Sequence, residues 1–233
     1  MVNRILIEVI VQTVDDARAA GDGGADRLEV VRAIDVGGLT PDLAVVEAIA
    51  RVTSLPLRVM VRENGGFETS DAEIAILRAA AWNFTKLRVD GLVAGFAKSG
   101  ELLLPEFAAV IESAPGIPIT FHRAFDSLAD PLAAIDALAS NRRVDHILTS
   151  GGEGTISERC DRLRLYVTRA DPRLTIIAGG GVDLELFRLL AERRTVREIH
   201  VGRLARDGGN ANGPVSAASV RRLRDISDGI GPR

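Results

Sequence analysis

The sequence predicts an α/β fold, a (β/α)8 TIM barrel forming a single domain over residues 1–233, and three observations lead there. Short runs rich in Val, Ile and Leu alternate eight times with stretches of helical length and periodicity. The hydrophobic content is 46% with only 4% aromatics, which suits the aliphatic strands of a parallel sheet buried on both faces. No Gly-x-Gly-x-x-Gly turn follows the first strand, where the chain reads Val11-Gln12-Thr13, and this argues against an open doubly wound sheet.

In chain order the strands are expected at residues 4–10, 26–32, 57–62, 85–93, 117–122, 145–150, 174–179 and 197–202. Helical patterns fall between and after them, near 13–22, 41–52, 70–82, 104–113, 130–140, 155–170, 183–193 and 215–227. Thr40-Pro41 reads as an N-cap followed by proline at the first helical position, and Ser70 with Glu73 reads as a capping box. The Gly- and Asn-rich stretch 206–214 follows the eighth strand, where a barrel carries an active-site loop. Residues 215–233 form the last helix and tail, and Arg221-Arg222-Leu223-Arg224 reads as the solvated face of that helix.

A net charge of -3 with interspersed signs gives no electrostatic case for a nucleic-acid partner or an anionic membrane. The single cysteine, Cys160, excludes an internal disulfide framework and a multi-cysteine metal cluster. The opening segment is short for a signal peptide or a membrane span and carries Glu8 inside its apolar run, so a cytoplasmic protein is expected. Homo-oligomerisation is left open.

Residues at the C-terminal strand ends of a barrel converge on one mouth. The candidates there are Glu8, Glu29, Arg62, Asp90, His122, Thr149 or Ser150, and His200. Each has a structural alternative: Glu8 or Glu29 could be neutralised by Arg62, and His200 could bond a neighbouring carbonyl. Ionisable groups at several strand ends of one face favour a site over separate structural roles. Glu8 and Glu29 on adjacent strands would repel, pushing one pKa upward and giving one acid and one base. Arg62 could hold a substrate carboxylate or phosphate, and His122 could serve as a second acid or base.

Gly179, Gly180 and Gly181 after the seventh strand, with Gly202 and Arg203 after the eighth, suit phosphate binding, the alternative being plain tight turns. The expected partner is a small anionic, phosphorylated or sugar-like molecule at the mouth, and isomerisation, elimination and hydrolysis all fit. A hard divalent ion on Glu8, Glu29 and a histidine ranks below a cofactor-independent reaction, because no fixed ligand spacing supports it.

The segments "GGADRLEV", "GGLTPD", "VMVRENGGF", "VDGLVAG", "TFHRAFD", "LTSGG" and "AGGGV", in that order, resemble the copper homeostasis protein CutC family from Glu8 to His200. The resemblance implies a (β/α)8 barrel, a role in copper homeostasis, and a shared pocket containing Glu8, Glu29, Arg62, Asp90, His122, Arg123, Asp126 and His200. Family members commonly carry cysteines just after the first- and second-strand glutamates, where this chain has Ile10-Val11 and Val30-Val31. Copper(I) prefers thiolate and thioether ligands, so copper follows from the resemblance alone, and neither a metal ligand set nor a cofactor is predicted.

Overall fold

All eight predicted βα units are present in the computed structural model, which describes residues 4–229. The strands are β1 (Leu6–Val11), β2 (Arg27–Val30), β3 (Leu57–Met60), β4 (Gly91–Ala94), β5 (Ile119–Phe121), β6 (Val144–Thr149), β7 (Thr175–Ala178) and β8 (Glu198–Val201). Each pairs in parallel with the next, and β8 pairs back onto β1, so the sheet closes and the open-sheet alternative is excluded. The helices are α1 (Val14–Gly23), α2 (Leu43–Val52), α3 (Asp71–Phe84), α4 (Leu104–Ile111), α5 (Pro131–Ala139), α6 (Ile156–Ala170), α7 (Leu184–Arg193) and α8 (Ala217–Ser227). A two-stranded hairpin, Ala97–Lys98 with Glu101–Leu102, follows β4 and was not foreseen.

The capping box at Ser70 and Glu73 forms as expected, and Thr155 with Glu158 forms a second one. Thr40 departs from its expected role. Helix α2 starts at Leu43 with Asp42 as N-cap. The Thr40 hydroxyl instead donates to the Arg62 carbonyl (2.8 Å) and accepts the Arg62 amide N–H (2.9 Å). Two hydrogen bonds to the end of β3 outweigh the one a cap would supply, and they tie the β2 loop to that strand.

Alternation along each strand sorts the interior into two chemistries. Outward side chains such as Ile7, Val9, Val11, Leu28, Val30, Leu57 and Val59 pack with the helices into the main apolar core. Inside the barrel, a small apolar cluster of Val31, Met60 and Val93, backed by Ile10 and Ile34, lies near the mouth. Charged side chains fill the floor, where many barrels stack branched aliphatics.

The basic run on α8 divides. Arg221 and Arg222 are exposed as expected, but Arg224 is buried, donating to the Ile5 carbonyl (3.0 Å) and to Asp26 (2.6 Å). A buried guanidinium needs such partners, and the entries to β1 and β2 supply them. No described helix is long and apolar enough to cross a membrane.

Candidate active site

The floor is an ion-pair chain across the barrel. Arg27 bridges Glu8 and Glu198, His146 Nε2 lies 3.3 Å from Glu198, and His146 Nδ1 lies 2.8 Å from Asp145. Arg58 closes the chain with two bonds to Asp145, at 3.0 and 2.6 Å. A Cβ at Gly91 would stand 2.4 Å from the Arg58 guanidinium, so the opposing strand has no side chain there. Arg27, Arg58, His146 and Glu198 were missed in the sequence. The signal was available: stepping back two residues from Glu29 and from His200, along the inward face, reaches Arg27 and Glu198.

Above this floor three consecutive strands build an acid–base group. Glu8 of β1 points one oxygen at Arg27 and the other at His200 Nδ1 of β8, 2.7 Å away. His200 Nε2 lies 3.8 Å from Glu29 Oε2 of β2. Burial alone would raise the Glu8 pKa, but Arg27 and His200 override it and hold the carboxylate well below its usual range. Glu29 has no such contact, and burial pushes it up to about 7. For His200 burial pulls down, while the facing Glu29 and Glu8 carboxylates win and raise its pKa. Glu29 and His200 line a cavity of about 550 Å³ at the mouth, whereas Glu8 lies beneath it. Glu29 Oε1 is buried without a hydrogen-bond partner.

Arg62 and His122 line the same cavity. Arg62 forms no ion pair with Glu8 or Glu29. It donates to the carbonyls of Gly66 (3.2 Å), Gly37 (3.3 Å) and Gly65 (2.5 Å), and lies over the Phe67 ring at 5.0 Å. His122 accepts the Ala124 N–H at Nδ1 (3.2 Å), and burial, reinforced by the Arg62 charge, pushes its pKa down to about 3. It is therefore neutral with its proton on Nε2, and that buried atom has no partner.

Asp126 accepts from the Thr149 hydroxyl (2.5 Å) and the Ser150 N–H (3.1 Å), and holds Arg123 Nε at 2.9 Å against the β7 loop. Thr149 and Ser150 thus brace the site from below the Arg123 arm. Gly180, Gly181, Gly202 and Arg203 line the cavity, while the Gly179 N–H is spent on the Thr149 carbonyl.

Glu8, Thr149 and Ser150 are absent from the cavity lining, and Asp90 is at the wrong end of the barrel altogether. Strand β4 begins at Gly91, so Asp90 sits at the opposite end of the barrel, exposed, accepting the Leu57 N–H at 2.9 Å. Residues 85–89, read as strand, instead terminate α3 and lead into β4. The mouth position belongs to Gly95, where a Cβ would meet His122 Nδ1 at 2.9 Å.

Ligand atoms of Glu8, Glu29 and His200 lie within 4.8 Å of one another, a spacing a metal ion could bridge. Both Glu8 oxygens and His200 Nδ1 are already bonded, however, and the Arg27 cation lies against Glu8. The donor set therefore fits proton transfer better than a cation.

The comparisons with known proteins agree with this architecture. A family model described as CutC family matches residues 5–204. The chain belongs to the CutC family. Among CutC relatives, the human copper homeostasis protein cutC homolog is 34% identical over 211 residues, covering 89% of this chain and 77% of that protein. The CutC family protein of Xanthomonas campestris pv. campestris strain B100 is 34% identical over 214 residues, covering 91% and 85%. A crystal structure from Streptococcus agalactiae that carries the CutC copper homeostasis name superposes with a TM-score of 0.78 at 26% identity, covering 84% of this chain and 97% of that one.

Proposed function

We propose that the barrel mouth is the active site of an enzyme that moves a proton on a small anionic molecule. The observation that carries this reading is Glu29: a buried carboxylate with a free oxygen, lining the cavity and poised near pH 7 beside His200. Ionised Glu29 accepts the proton from the substrate. His200, held by Glu8 through Nδ1, presents Nε2 as the complementary acid. Isomerisation, elimination and hydrolysis share that exchange.

The anion contact comes from the loops after β7 and β8. Arg159, on α6, donates to the carbonyls of Gly180 (2.8 Å) and Gly181 (3.3 Å). Across a trans peptide the following N–H points opposite to the carbonyl, so the N–H groups of Gly181 and Val182 are turned away from α6, toward the mouth. Two successive N–H groups beside Arg123 and Arg203, which also line the cavity, suit a phosphate.

The names of the relatives speak of copper homeostasis, and a copper site was tested against the donors present. Among the described residues the sulfur atoms are those of Met60, in the cavity wall, and Cys160, buried in α6 and absent from the cavity lining. Carboxylates, one thioether and several arginine charges do not fit a soft monovalent cation.

Screening small phosphorylated and carboxylated metabolites for turnover tests the proposal. Glu29→Gln should reduce the rate on any substrate found by at least ~100-fold and leave the circular dichroism spectrum unchanged. Full activity in that variant would refute the role given to Glu29.

A further inference from the structure

Strands β3 and β7 stand four places apart in a closed ring of eight, so Arg62, just past β3, and the β7 loop face each other across the mouth. Of the two arcs between them, β8, β1 and β2 carry His200 and Glu29, and β4, β5 and β6 carry His122 at the end of β5. The two ends of the cavity differ in chemistry. At the β7 end, Gly180 and Gly181 both have positive φ (81° and 63°), and a Cβ at Gly181 would meet open space. Anion contact there comes from backbone N–H groups and from Arg123, whose guanidinium lies so close to Gly180 that a Cβ would stand 2.4 Å from its Nε.

The β3 end offers side-chain donors. Arg62 spends three N–H groups on the carbonyls of Gly37, Gly65 and Gly66, leaving two of a guanidinium's five. No described carboxylate forms an ion pair with it; the Phe67 ring covers one of its faces and leaves its edge. His122 follows β5, midway round the ring between β3 and β7, but its ring lies 5.6 Å from that of Phe67, and its Nε2–H, buried, is a second donor without an acceptor. Buried donors of this kind need an acceptor, which a ligand in the cavity can supply.

We infer that the cavity takes a short molecule with a phosphate at one end and a carboxylate at the other, the phosphate on the β7 loop and the carboxylate against Arg62 and His122. This deepens the active-site reading above and rests on it for the chemistry, which would fall on the carbon between the two ends. A planar carboxylate matches a guanidinium edge plus one imidazole N–H. A tetrahedral phosphate matches converging backbone amides. The cavity volume, about 550 Å³, is in the range usual for small-ligand sites and accommodates such a molecule.

Calorimetric titration at fixed ionic strength tests the inference with four probes: inorganic phosphate, glycerol 3-phosphate, glycerate and 3-phosphoglycerate. The two-ended ligand should bind at least ~10-fold tighter than each one-ended ligand, a factor worth a single good charged contact. Arg62→Gln should erase that advantage and leave glycerol 3-phosphate affinity unchanged. Because Arg62 also holds three loop carbonyls, His122→Asn provides a second route; asparagine keeps a short acceptor for the Ala124 N–H and removes the Nε2 donor. It should reduce the advantage several-fold. Equal affinity for one- and two-ended ligands, or an advantage untouched in both variants, would overturn the inference. Glu29→Gln should retain two-ended binding. Tight two-ended binding without turnover of any substrate would therefore reject the enzyme reading while upholding the two-ended site.

Discussion

Glu8 and Glu29 are buried glutamates on neighbouring strands, yet their proton affinities move in opposite directions. The cause is where the arginines point. Glu8 is bonded by Arg27, opposite it on β2. Glu29 stands opposite Ile10 on β1 and Arg58 on β3, whose guanidinium turns to Asp145, and has His200 Nε2 only at 3.8 Å. Alternation along the sequence suggested a glutamate pair with one acid and one base. Which is which depends on the Arg27 contact, a floor residue that a reading confined to strand tips passes over. The Glu29 shift predicts a signature in stability. Its folded pKa, about 7, exceeds the 4.5 of an unperturbed carboxyl, so across that window the folded protein keeps a proton the unfolded chain has lost. Stability contributed at this position therefore falls as pH rises from 4.5 to 7. Glu29→Gln removes the dependence. Measured by urea unfolding, the stability of wild type relative to the variant should drop by up to about 3 kcal/mol between pH 4 and pH 8. A flat difference would show that burial does not hold the proton on Glu29.

At the scale of elements, the strands have apolar outer faces, and β1, β2, β3, β6 and β8 carry ionisable groups on the inner face. Arg27 is the residue on which the floor depends, because it alone bridges Glu8 and Glu198. Replacing it with methionine of comparable length keeps the volume and removes the cation that two buried carboxylates share, leaving Glu8 to His200 and Glu198 to His146. Arg27→Met should cost about 3–5 kcal/mol in urea denaturation, and a loss below about 1 kcal/mol would mean that the carboxylates find other partners. The elements themselves were legible because doubly buried strands and amphipathic helices differ in period. Strand four was displaced because residues 85–89, with Leu87 and Val89, imitate a strand, while Gly91 and Gly95, the glycines that bracket β4, serve close packing against Arg58 and His122. A glycine required by a partner on the neighbouring strand, tens of residues away in sequence, leaves no local signal. The orphan donors at His122 and Arg62 were equally invisible, since lacking a partner is a property of three-dimensional surroundings.

For the whole molecule the vulnerable place is the seam where the last βα unit meets the first. Gly23 of α1 admits α8 at close range: a Cβ there would lie 2.5 Å from the Val220 Cβ. Arg206, its side chain wholly buried, holds the 206–214 loop to both sides of the seam, donating to Gly213 (2.9 Å), Gly202 (3.0 Å) and Ile10 (3.2 Å) carbonyls. Arg224 fastens the opposite end of the barrel, bonding the Ile5 carbonyl just before β1 and the Asp26 carboxylate just before β2. Asp26 in turn accepts the Ile7 N–H at 2.8 Å, so one arginine secures the entry of two strands. Arg222, two residues earlier on the same helix, is exposed. The basic run therefore contains two residues of opposite weight. Arg224→Ala should cost about 2–4 kcal/mol, because the Ile5 carbonyl loses its side-chain donor, Asp26 loses its buried cation, and a large buried side chain is removed. Arg222→Ala should change stability by less than about 0.5 kcal/mol. One terminal nitrogen of Arg224 serves both acceptors while the other reaches Asp228. A lysine ammonium replaces only the first, on a shorter side chain, so Arg224→Lys should recover only part of the loss. Thermal and urea unfolding of the three variants decides the matter: equal stabilities for Arg222→Ala and Arg224→Ala would return the whole run to the solvated face that its sequence suggested.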